Sequence, residues 1–263
     1  MSRIIHLSDL HFGRDRPDLL GPLLASVNGL NADLVVISGD LTQRARHHQF
    51  EDAKQFIDKV TAPILTVPGN HDIPLHRPIT RFLIPFRRYK RWINPDLTPQ
   101  FETDDMVVVG INSVDRFAWQ AGRLSTRRLK HACAAMERAP KHKARIIVMH
   151  HPLEHPIYTK KKPARGAKKA LDQLLSGGAD MILSGHLHAW HAENFKVTSG
   201  THSAVQLHAG TTLSTRLRGE PNDFNVIDIS PTSFDIQRLS FDEENQRFKT
   251  TEARQFSRAS LKS

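Results

Sequence analysis

Residues 4–11 read Ile-Ile-His-Leu-Ser-Asp-Leu-His, a short apolar run that leads directly into a carboxylate and an imidazole. The run from Ile4 to Leu7 predicts a buried strand, and the extended segment after it would present Asp9 and His11 on the same side. Carboxylate and imidazole are both metal ligands, but such a pair also arises often by chance. Its meaning therefore depends on whether the arrangement recurs.

The arrangement recurs four times along the chain, each time after an apolar run. The later motifs are Gly39-Asp40, Gly69-Asn70-His71-Asp72, His150 after residues 146–149, and Gly185-His186-Leu187-His188. Any one of them is more often a turn than a metal site, yet coincidence is a poor explanation for all of them together. Because loops beyond the carboxyl ends of strands gather at one edge of an α/β sheet, we expect these side chains to converge.

Strand and helix patterns alternate through the first two-thirds of the chain. Apolar residues recur at helical spacing from Leu19 to Leu30 and from Phe50 to Val60. Helices are also predicted at 125–138 and 167–176, and strands at 34–37, 63–67, 106–109, 145–149, 179–183, 205–208, 224–229, 234–239 and 247–250. This alternation favours a buried sheet with helices packed against it.

The domain organisation follows from length and from the position of the prolines. A chain of 263 residues is long enough for one large domain. We predict a single domain at 1–250 and a polar C-terminal tail at 251–263 that frays. Residues 73–100 contain five prolines, which exclude a long straight helix. We interpret this basic, aromatic segment as a lid-like insertion.

The amino-acid composition says more about the cellular location of the protein than about its function. The net charge of +10 attracts nucleotides, nucleic acids and anionic lipids alike, without selecting among them. No apolar run approaches the roughly 18 residues of a membrane span, and no signal peptide precedes Ile4. The single cysteine, Cys133, cannot form an internal disulfide. We therefore expect a cytoplasmic protein, with peripheral contact at the inner membrane surface left open.

The candidate ligands are carboxylates, an amide oxygen and imidazoles. Cys133 lies in a predicted helix away from the motifs, so a cysteine-rich structural zinc site is excluded and a catalytic centre with positions open to water is favoured. These ligand types suit Mn, Fe, Zn or Co and do not choose among them. Two such ions side by side would activate water and neutralise phosphate charge together.

The motifs also carry a resemblance to a known family. Ser-Asp-Leu-His-Phe-Gly, Gly-Asp-Leu-Thr, Pro-Gly-Asn-His-Asp, His-His-Pro and Gly-His-Leu-His occur in order between Ile4 and Thr212. This set resembles the calcineurin-like metallophosphoesterase superfamily, and within it most closely the class III cyclic nucleotide phosphodiesterase group. The resemblance implies a mixed α/β fold, a four-layer sandwich of two mixed sheets flanked by helices. It also implies a metal-dependent phosphoric ester hydrolase.

The resemblance further implies which residues bind metal. One ion would be held by Asp9, His11, Asp40 and His188, and the other by Asp40, Asn70, His150 and His186, with Asp40 bridging the pair. His150 is preferred to His151 because it directly ends its strand. A metal-activated hydroxide would attack a phosphodiester of the cyclic AMP type. His71 would donate a proton to the leaving group, and Asp72 would orient its imidazole.

Several alternatives stay open at this point. The basic aromatic residues 77–93 suit a helical flap packed on the core, a lid or dimer contact, or a surface for anionic membrane, and a nucleic-acid contact is disfavoured. The protein could act on lipid head groups at a membrane surface. The UDP-diacylglucosamine hydrolases share the implied scaffold but typically carry Arg where this chain has His71. A non-catalytic scaffold of the same fold and a nuclease are further readings, and a homodimer is possible.

Overall fold

Two six-stranded sheets form the centre of the molecule. The structure, a computed structural model, describes residues 1–154, 163–196 and 203–258. The first sheet contains β1 (Ser2–Leu7), β2 (Leu34–Ile37), β3 (Ile64–Thr66), β10 (Asp223–Ile229), β11 (Ser233–Asp242) and β12 (Arg247–Ser257). The second contains β4 (Gln100–Glu102), β5 (Met106–Gly110), β6 (Ala144–Val148), β7 (Met181–Ser184), β8 (His191–Lys196) and β9 (Ser203–His208).

Both sheets mix parallel and antiparallel pairs. The first has the order β12-β11-β10-β1-β2-β3, with β1, β2 and β3 parallel and β10, β11 and β12 added antiparallel. The second has the order β4-β5-β6-β7-β9-β8, with a parallel centre and an antiparallel strand at each edge. The parallel strands therefore send their carboxyl ends, and the loops that follow them, to shared edges.

Helices cover the outer face of each sheet. They are α1 (Leu20–Gly29), α2 (His47–Ile57), α3 (Pro78–Leu83), α4 (Arg87–Trp92), α5 (Thr126–Arg138) and α6 (Ala167–Ser176). Successive residues of β1 point to opposite faces. Ile4 packs between the sheets, and Ile5 packs against the residues of α1 and α2. The second sheet packs against α5 and α6 in the same way. The predicted four-layer sandwich is confirmed.

Three strands differ from the sequence expectation. β4 and β8 were not predicted, because they lie at sheet edges and carry no apolar alternation, so that pairing rather than burial defines them. β12 continues to Ser257, whereas a strand only to residue 250 and a frayed tail were expected. Residues 252–257 are paired with β11, and Phe256 lies opposite Phe234. Residues 259–263 lie outside the described part of the chain.

The proline-rich segment 73–100 folds as the two short helices α3 and α4, six residues each, as its prolines predict. Tyr89 of α4 is fully buried among the side chains that cover the first sheet. Its hydroxyl lies 2.7 Å from the Thr66 hydroxyl at the end of β3. The segment is thus anchored beside the strand that it follows. Within the described residues, no helix combines the length and the apolar character that a membrane crossing requires.

Candidate metal centre

The predicted ligands all lie in loops that follow strands, and the fold brings them together from both sheets. Asp9 and His11 follow β1, Asp40 follows β2 and Asn70 follows β3, while His150 follows β6 and the pair of His186 and His188 follows β7. Their ligand atoms form overlapping groups whose members lie within 4.8 Å of one another: Asp9, His11 and His188; Asp9, Asp40 and His150; His11, Asp40 and His71; and His150, His151 and His186.

The first group is built around Asp9. Its Oδ1 lies 3.1 Å from His188 Nε2 and 3.4 Å from His11 Nε2. The two imidazole nitrogens are 3.3 Å apart. Asp9 Oδ2 accepts hydrogen bonds from the Ser8 hydroxyl at 2.7 Å and from the His186 backbone N–H at 3.0 Å, whereas Oδ1 is buried and accepts none. One carboxylate oxygen and two imidazoles therefore face a common point.

The second group is built around His150. Its Nδ1 lies 2.9 Å from the Ser38 carbonyl oxygen, to which it donates, so that Nε2 faces inward. Nε2 lies 3.3 Å from Asp40 Oδ2 and 3.2 Å from Asn70 Oδ1. The His186 ring packs against the His150 ring with 5.1 Å between centroids. This group has a carboxylate, an amide oxygen and imidazoles.

Asp40 joins the two groups. Its Oδ1 accepts the His71 backbone N–H at 2.8 Å, and its Oδ2 faces both His150 and His11, the latter at 3.7 Å. A carboxylate in this position is placed to serve two cations at once.

The backbone at the centre adopts an uncommon conformation. Five of its residues have positive φ, namely Asp9 (53°), His11 (52°), Asp40 (52°), His186 (71°) and His188 (57°). Such angles cost free energy in residues other than glycine and cluster at functional sites, where the surrounding contacts hold them. Here the contacts include backbone bonds from Asp9 N to Gly39 O at 3.1 Å and from His11 N to Asp40 O at 2.9 Å.

Glycine precedes two of these residues because the loops approach each other closely. Gly39 has φ of 100°, and a Cβ built there would lie 2.7 Å from His150 Nδ1. A Cβ at Gly185 would lie 1.8 Å from the Ser8 hydroxyl oxygen. The glycine of the Gly-Asp motif thus allows the loop after β2 to approach the loop after β6, and the glycine of the Gly-His motif allows the loop after β7 to approach the loop after β1.

Burial and neighbouring charges set the ionisation of the centre. Burial opposes ionisation of Asp9 and Asp40, but the histidines around them outweigh it and hold the pKa of both carboxyls well below the usual value. Burial lowers the pKa of His11 to about 4. Burial also acts to lower the pKa of His150, but Asp40 outweighs it and raises this pKa to about 9. Anions buried this closely are costly unless cations accompany them.

The donor set fits two divalent cations. Asp9 Oδ1 is a buried acceptor without a hydrogen bond, and the outer nitrogen of His150 is fixed by a backbone carbonyl in the manner of metal-bound histidines. The only cysteine, Cys133, is half-buried in α5 beside α6, with Sγ 3.5 Å from the Gln173 carbonyl oxygen. Oxygen and imidazole donors of this kind bind Mn, Fe, Zn or Co.

His71 lies beside the clusters with a different set of partners. Its Nδ1 lies 2.8 Å from the Gln43 carbonyl oxygen, to which it donates. Its Nε2 lies 3.3 Å from Arg216 Nη1, and its ring meets the His11 ring edge-on at 4.9 Å. With Nδ1 directed at Gln43, Nε2 faces the Arg216 guanidinium.

Asp72, which was expected to orient the His71 imidazole, contacts backbone groups in the structure. The Asp72 carboxylate accepts the backbone N–H groups of Gly69, Leu41 and Thr42 at 2.9, 3.2 and 2.9 Å. The side chain turns back under its own loop, so it braces the loops after β2 and β3 instead of orienting the imidazole. Burial, helped by Asp40, raises the pKa of Asp72 to about 7.

Sequence reasoning missed a pocket beside the metal centre. A cavity of 260 Å³ is lined by Asn70 and His71 together with Arg14, Arg44 and Arg216, and Trp119 lies on its wall. Arginine is too common in this basic chain for these three to stand out in the sequence. His151 was also set aside, yet its ring lies 4.7 Å from that of His186, and its Nδ1 lies 2.9 Å from the Ser113 hydroxyl.

Comparison with known proteins gives a family and two partial relatives. A family model described as calcineurin-like phosphoesterase matches residues 2–190. Glycerophosphodiester phosphodiesterase GpdQ of Enterobacter lignolyticus is 32% identical over 80 residues, 26% of this chain and 29% of that protein. UDP-2,3-diacylglucosamine pyrophosphatase LpxG of Chlamydia muridarum is 34% identical over 73 residues, 27% of this chain and 22% of that protein. The matches thus span less than a third of these relatives.

A solved structure supports the architecture. Purple acid phosphatase PPD1 from yellow lupin (Lupinus luteus) seeds aligns over 97% of this chain and 53% of that chain, with a TM-score of 0.70 and 12% identity. An identity this low shows a shared fold, with two mixed sheets flanked by helices, and nothing about the substrate.

Proposed function

Because the chain belongs to the calcineurin-like phosphoesterase family, we propose that it is a metal-dependent phosphoric ester hydrolase that cleaves phosphodiesters. The observation that carries this proposal is the pair of buried ligand groups that share Asp40 and border a pocket with three arginines. The full set of predicted donors is present and clustered, which favours a catalytic centre over a non-catalytic scaffold.

The residues divide into two ligand sets in this proposal. Asp9, His11, Asp40 and His188 hold one cation, and Asp40, Asn70, His150 and His186 hold the other. When bound, the two cations lower the pKa of a shared water and offset the charge that builds on the phosphoryl oxygens. Ser38 and Arg216 fix the imidazoles of His150 and His188 through their backbone carbonyl oxygens, at 2.9 and 3.2 Å.

The arginine pocket explains how an anionic substrate is held. Arg14, Arg44 and Arg216 supply positive charge beside His71, and a guanidinium binds phosphate oxygens through paired N–H groups. A phosphate that takes the hydrogen bond of Arg216 releases His71 Nε2 from its contact with that arginine. Once Nε2 has taken up a proton from solvent, His71 passes that proton to the leaving oxygen, while Gln43 holds the ring through Nδ1.

A small phosphodiester suits this pocket best, and we propose that the substrate is a cyclic nucleotide of the cyclic AMP type. The 260 Å³ volume is small, and Trp119 offers a flat surface for a base. The printed name of GpdQ, a glycerophosphodiester phosphodiesterase, supports a phosphodiester as the substrate class. The printed name of LpxG supports a second candidate, a lipid-linked pyrophosphate cleaved at a membrane surface.

The test is metal analysis combined with a substrate panel. Purified protein loaded with manganese is assayed on bis-p-nitrophenyl phosphate, cyclic AMP, a glycerophosphodiester and a nucleoside-diphosphate sugar, and bound metal is counted by mass spectrometry. We expect two metals per chain and turnover of phosphodiesters. Asp40→Asn should lose about 10²-fold or more in kcat/KM.

Asp58→Asn serves as the matched control. Asp58 is an exposed carboxylate paired with Lys54 on α2, so the same change there should leave activity and metal content unaltered. Two bound metals with no turnover of any substrate would contradict the proposal and point to a scaffold. Turnover of the nucleoside-diphosphate sugar alone would favour the second candidate.

A further inference from the structure

Exposed apolar side chains are concentrated in one place on this protein. Eight large apolar side chains are strongly exposed in residues 1–154, 163–196 and 203–258, and six of them come from two short segments. These six form what we call the apolar patch: Ile79, Phe82, Leu83 and Ile84 at α3, and Phe117 and Trp119 in the loop after β5. Ile79 is 76% exposed, Leu83 72% and Phe117 67%. Clustering of this kind marks an interaction surface.

The two segments are held together as one surface. The Phe82 and Phe117 rings stack with 5.7 Å between centroids. Buried Arg81 donates from Nε to the Arg116 carbonyl oxygen at 2.8 Å and from Nη2 to the Ala118 carbonyl oxygen at 2.5 Å. Arg116 Nη1 donates in return to the Phe82 carbonyl oxygen at 2.8 Å. These bonds fix the backbones while the apolar side chains point to solvent.

The surroundings of the patch are positively charged. Residues 73–93 contain six Arg or Lys, residues 116–131 contain five, and neither stretch has an Asp or Glu. A second cavity of 420 Å³ lies between the segments, lined by Arg116, Arg123 and Arg128 with Phe86 and Phe117, and by buried Asp115. A partner that binds this face should therefore carry both apolar and anionic groups.

The positive charge around the apolar patch discriminates among the possible binding partners. A second copy of the chain would bring the same cations face to face, and like charges across an interface are costly. A nucleic acid would use stacking on aromatic rings, and the aliphatic side chains of Ile79, Leu83 and Ile84 offer none. Aliphatic and aromatic side chains with a cationic rim match the headgroup and upper acyl region of an anionic bilayer.

We propose that the apolar patch docks this protein on a membrane that contains anionic phospholipid. The patch enters the acyl boundary, and the arginines around it bind lipid phosphates. Trp119 belongs both to the patch and to the wall of the pocket that holds His71. Docking therefore places the mouth of the candidate active site at the membrane surface.

The test is cosedimentation of the full-length, metal-loaded protein with vesicles, without substrate, so the result is independent of hydrolysis. Vesicles of phosphatidylcholine are compared with vesicles of phosphatidylcholine and phosphatidylglycerol. We expect binding only to the second kind. Leu83→Ser with Phe117→Ser should weaken that binding about tenfold or more, since two apolar side chains no longer enter the acyl boundary.

Two double variants, each of which removes two positive charges, test which surface binds the membrane. Arg77→Ser with Arg91→Ser should weaken binding, whereas Arg247→Ser with Lys249→Ser, in β12 at the opposite edge of the first sheet, should not. Equal binding of both vesicle types, or unchanged binding by the Leu83 and Phe117 variant, would overturn the proposal. A wild-type dimer that this variant converts to monomer would also overturn it, because the patch would then be a subunit interface.

Discussion

Arg216 contacts the candidate metal centre in two ways. Its backbone carbonyl oxygen lies 3.2 Å from His188 Nδ1, and its guanidinium lies 3.3 Å from His71 Nε2. The first contact orients a predicted ligand and is independent of the side chain. The second places positive charge where a substrate phosphate would lie, and there the side chain alone matters. A substitution separates the two functions.

We predict that Arg216→Gln lowers kcat/KM on bis-p-nitrophenyl phosphate about 10- to 100-fold, the equivalent of about 1.5–3 kcal/mol for a hydrogen bond to a charged group. Metal content should stay unchanged, because the carbonyl oxygen remains. Arg218→Gln, two residues away and exposed, is the control and should have little effect. Wild-type kinetics for Arg216→Gln would exclude this arginine from phosphate binding.

At the scale of elements, β1 is tied to its neighbours by a buried polar chain. His6 Nε2 lies 2.9 Å from the Ser38 hydroxyl beyond β2, and Asn225 of β10 lies 3.4 Å from His6 Nδ1. Ser38 donates to Ser8 at 2.9 Å, and Ser8 donates to Asp9 at 2.7 Å. The chain connects the interior of the first sheet to a predicted ligand. Burial lowers the pKa of His6 to about 3.

This shift predicts an acid dependence of stability. Below about pH 6.5 the unfolded chain binds a proton at His6, whereas the folded protein does not bind this proton until about pH 3. The free energy of unfolding therefore decreases as the pH is lowered from about 6.5 to about 3. The slope reaches about 1.4 kcal/mol per pH unit. His6→Gln should flatten this slope in urea unfolding of chelator-treated protein between about pH 7 and about pH 5. Parallel curves for both proteins would show that His6 does not contribute.

Elements with a strong apolar period were predictable, and those defined by pairing were not. β2 and β5 are apolar almost throughout, β1 and β6 contain mainly apolar runs at residues 4–7 and 146–148, and all of these runs are buried. β8 reads His-Ala-Glu-Asn-Phe-Lys and forms only because β9 lies beside it. The metal motifs were readable because their residue types are rare together. The hydrogen-bond partner of the His71 ring could not be predicted from the sequence, because Asp72 is adjacent to His71 whereas the Gln43 carbonyl oxygen is distant along the chain.

At the scale of the whole molecule, the candidate metal centre lies where the two sheets meet. Asp9, Asp40 and Asn70 come from loops of the first sheet, whereas His150 and His186 come from loops of the second. Cations held between them would therefore connect the two halves of the sandwich. Binding to the folded protein alone raises its stability by mass action.

We predict that manganese added to chelator-stripped protein raises Tm by about 5–10 °C for each ion bound. At a hundred times the dissociation constant, binding contributes about 2.7 kcal/mol, and a domain of this size gains about 2–4 °C for each kcal/mol. Calorimetry with and without manganese measures the shift. Asp40→Asn should lose most of it, because both ions share that carboxylate. A shift that persists in this variant would place the metal elsewhere.

The left-handed backbone at Asp9, His11, Asp40, His186 and His188 affects how mutagenesis of this centre is interpreted. Alanine at such a position carries a conformational penalty of about 1–2 kcal/mol in addition to the lost donor atom. Asparagine tolerates these angles, so Asp→Asn removes the carboxylate charge and His→Asn removes the imidazole with little backbone penalty. An alanine scan would therefore overstate the contribution of metal coordination to stability. The difference in the free energy of unfolding between the alanine and asparagine variants at each position would measure the conformational energy of the left-handed backbone in the apoprotein.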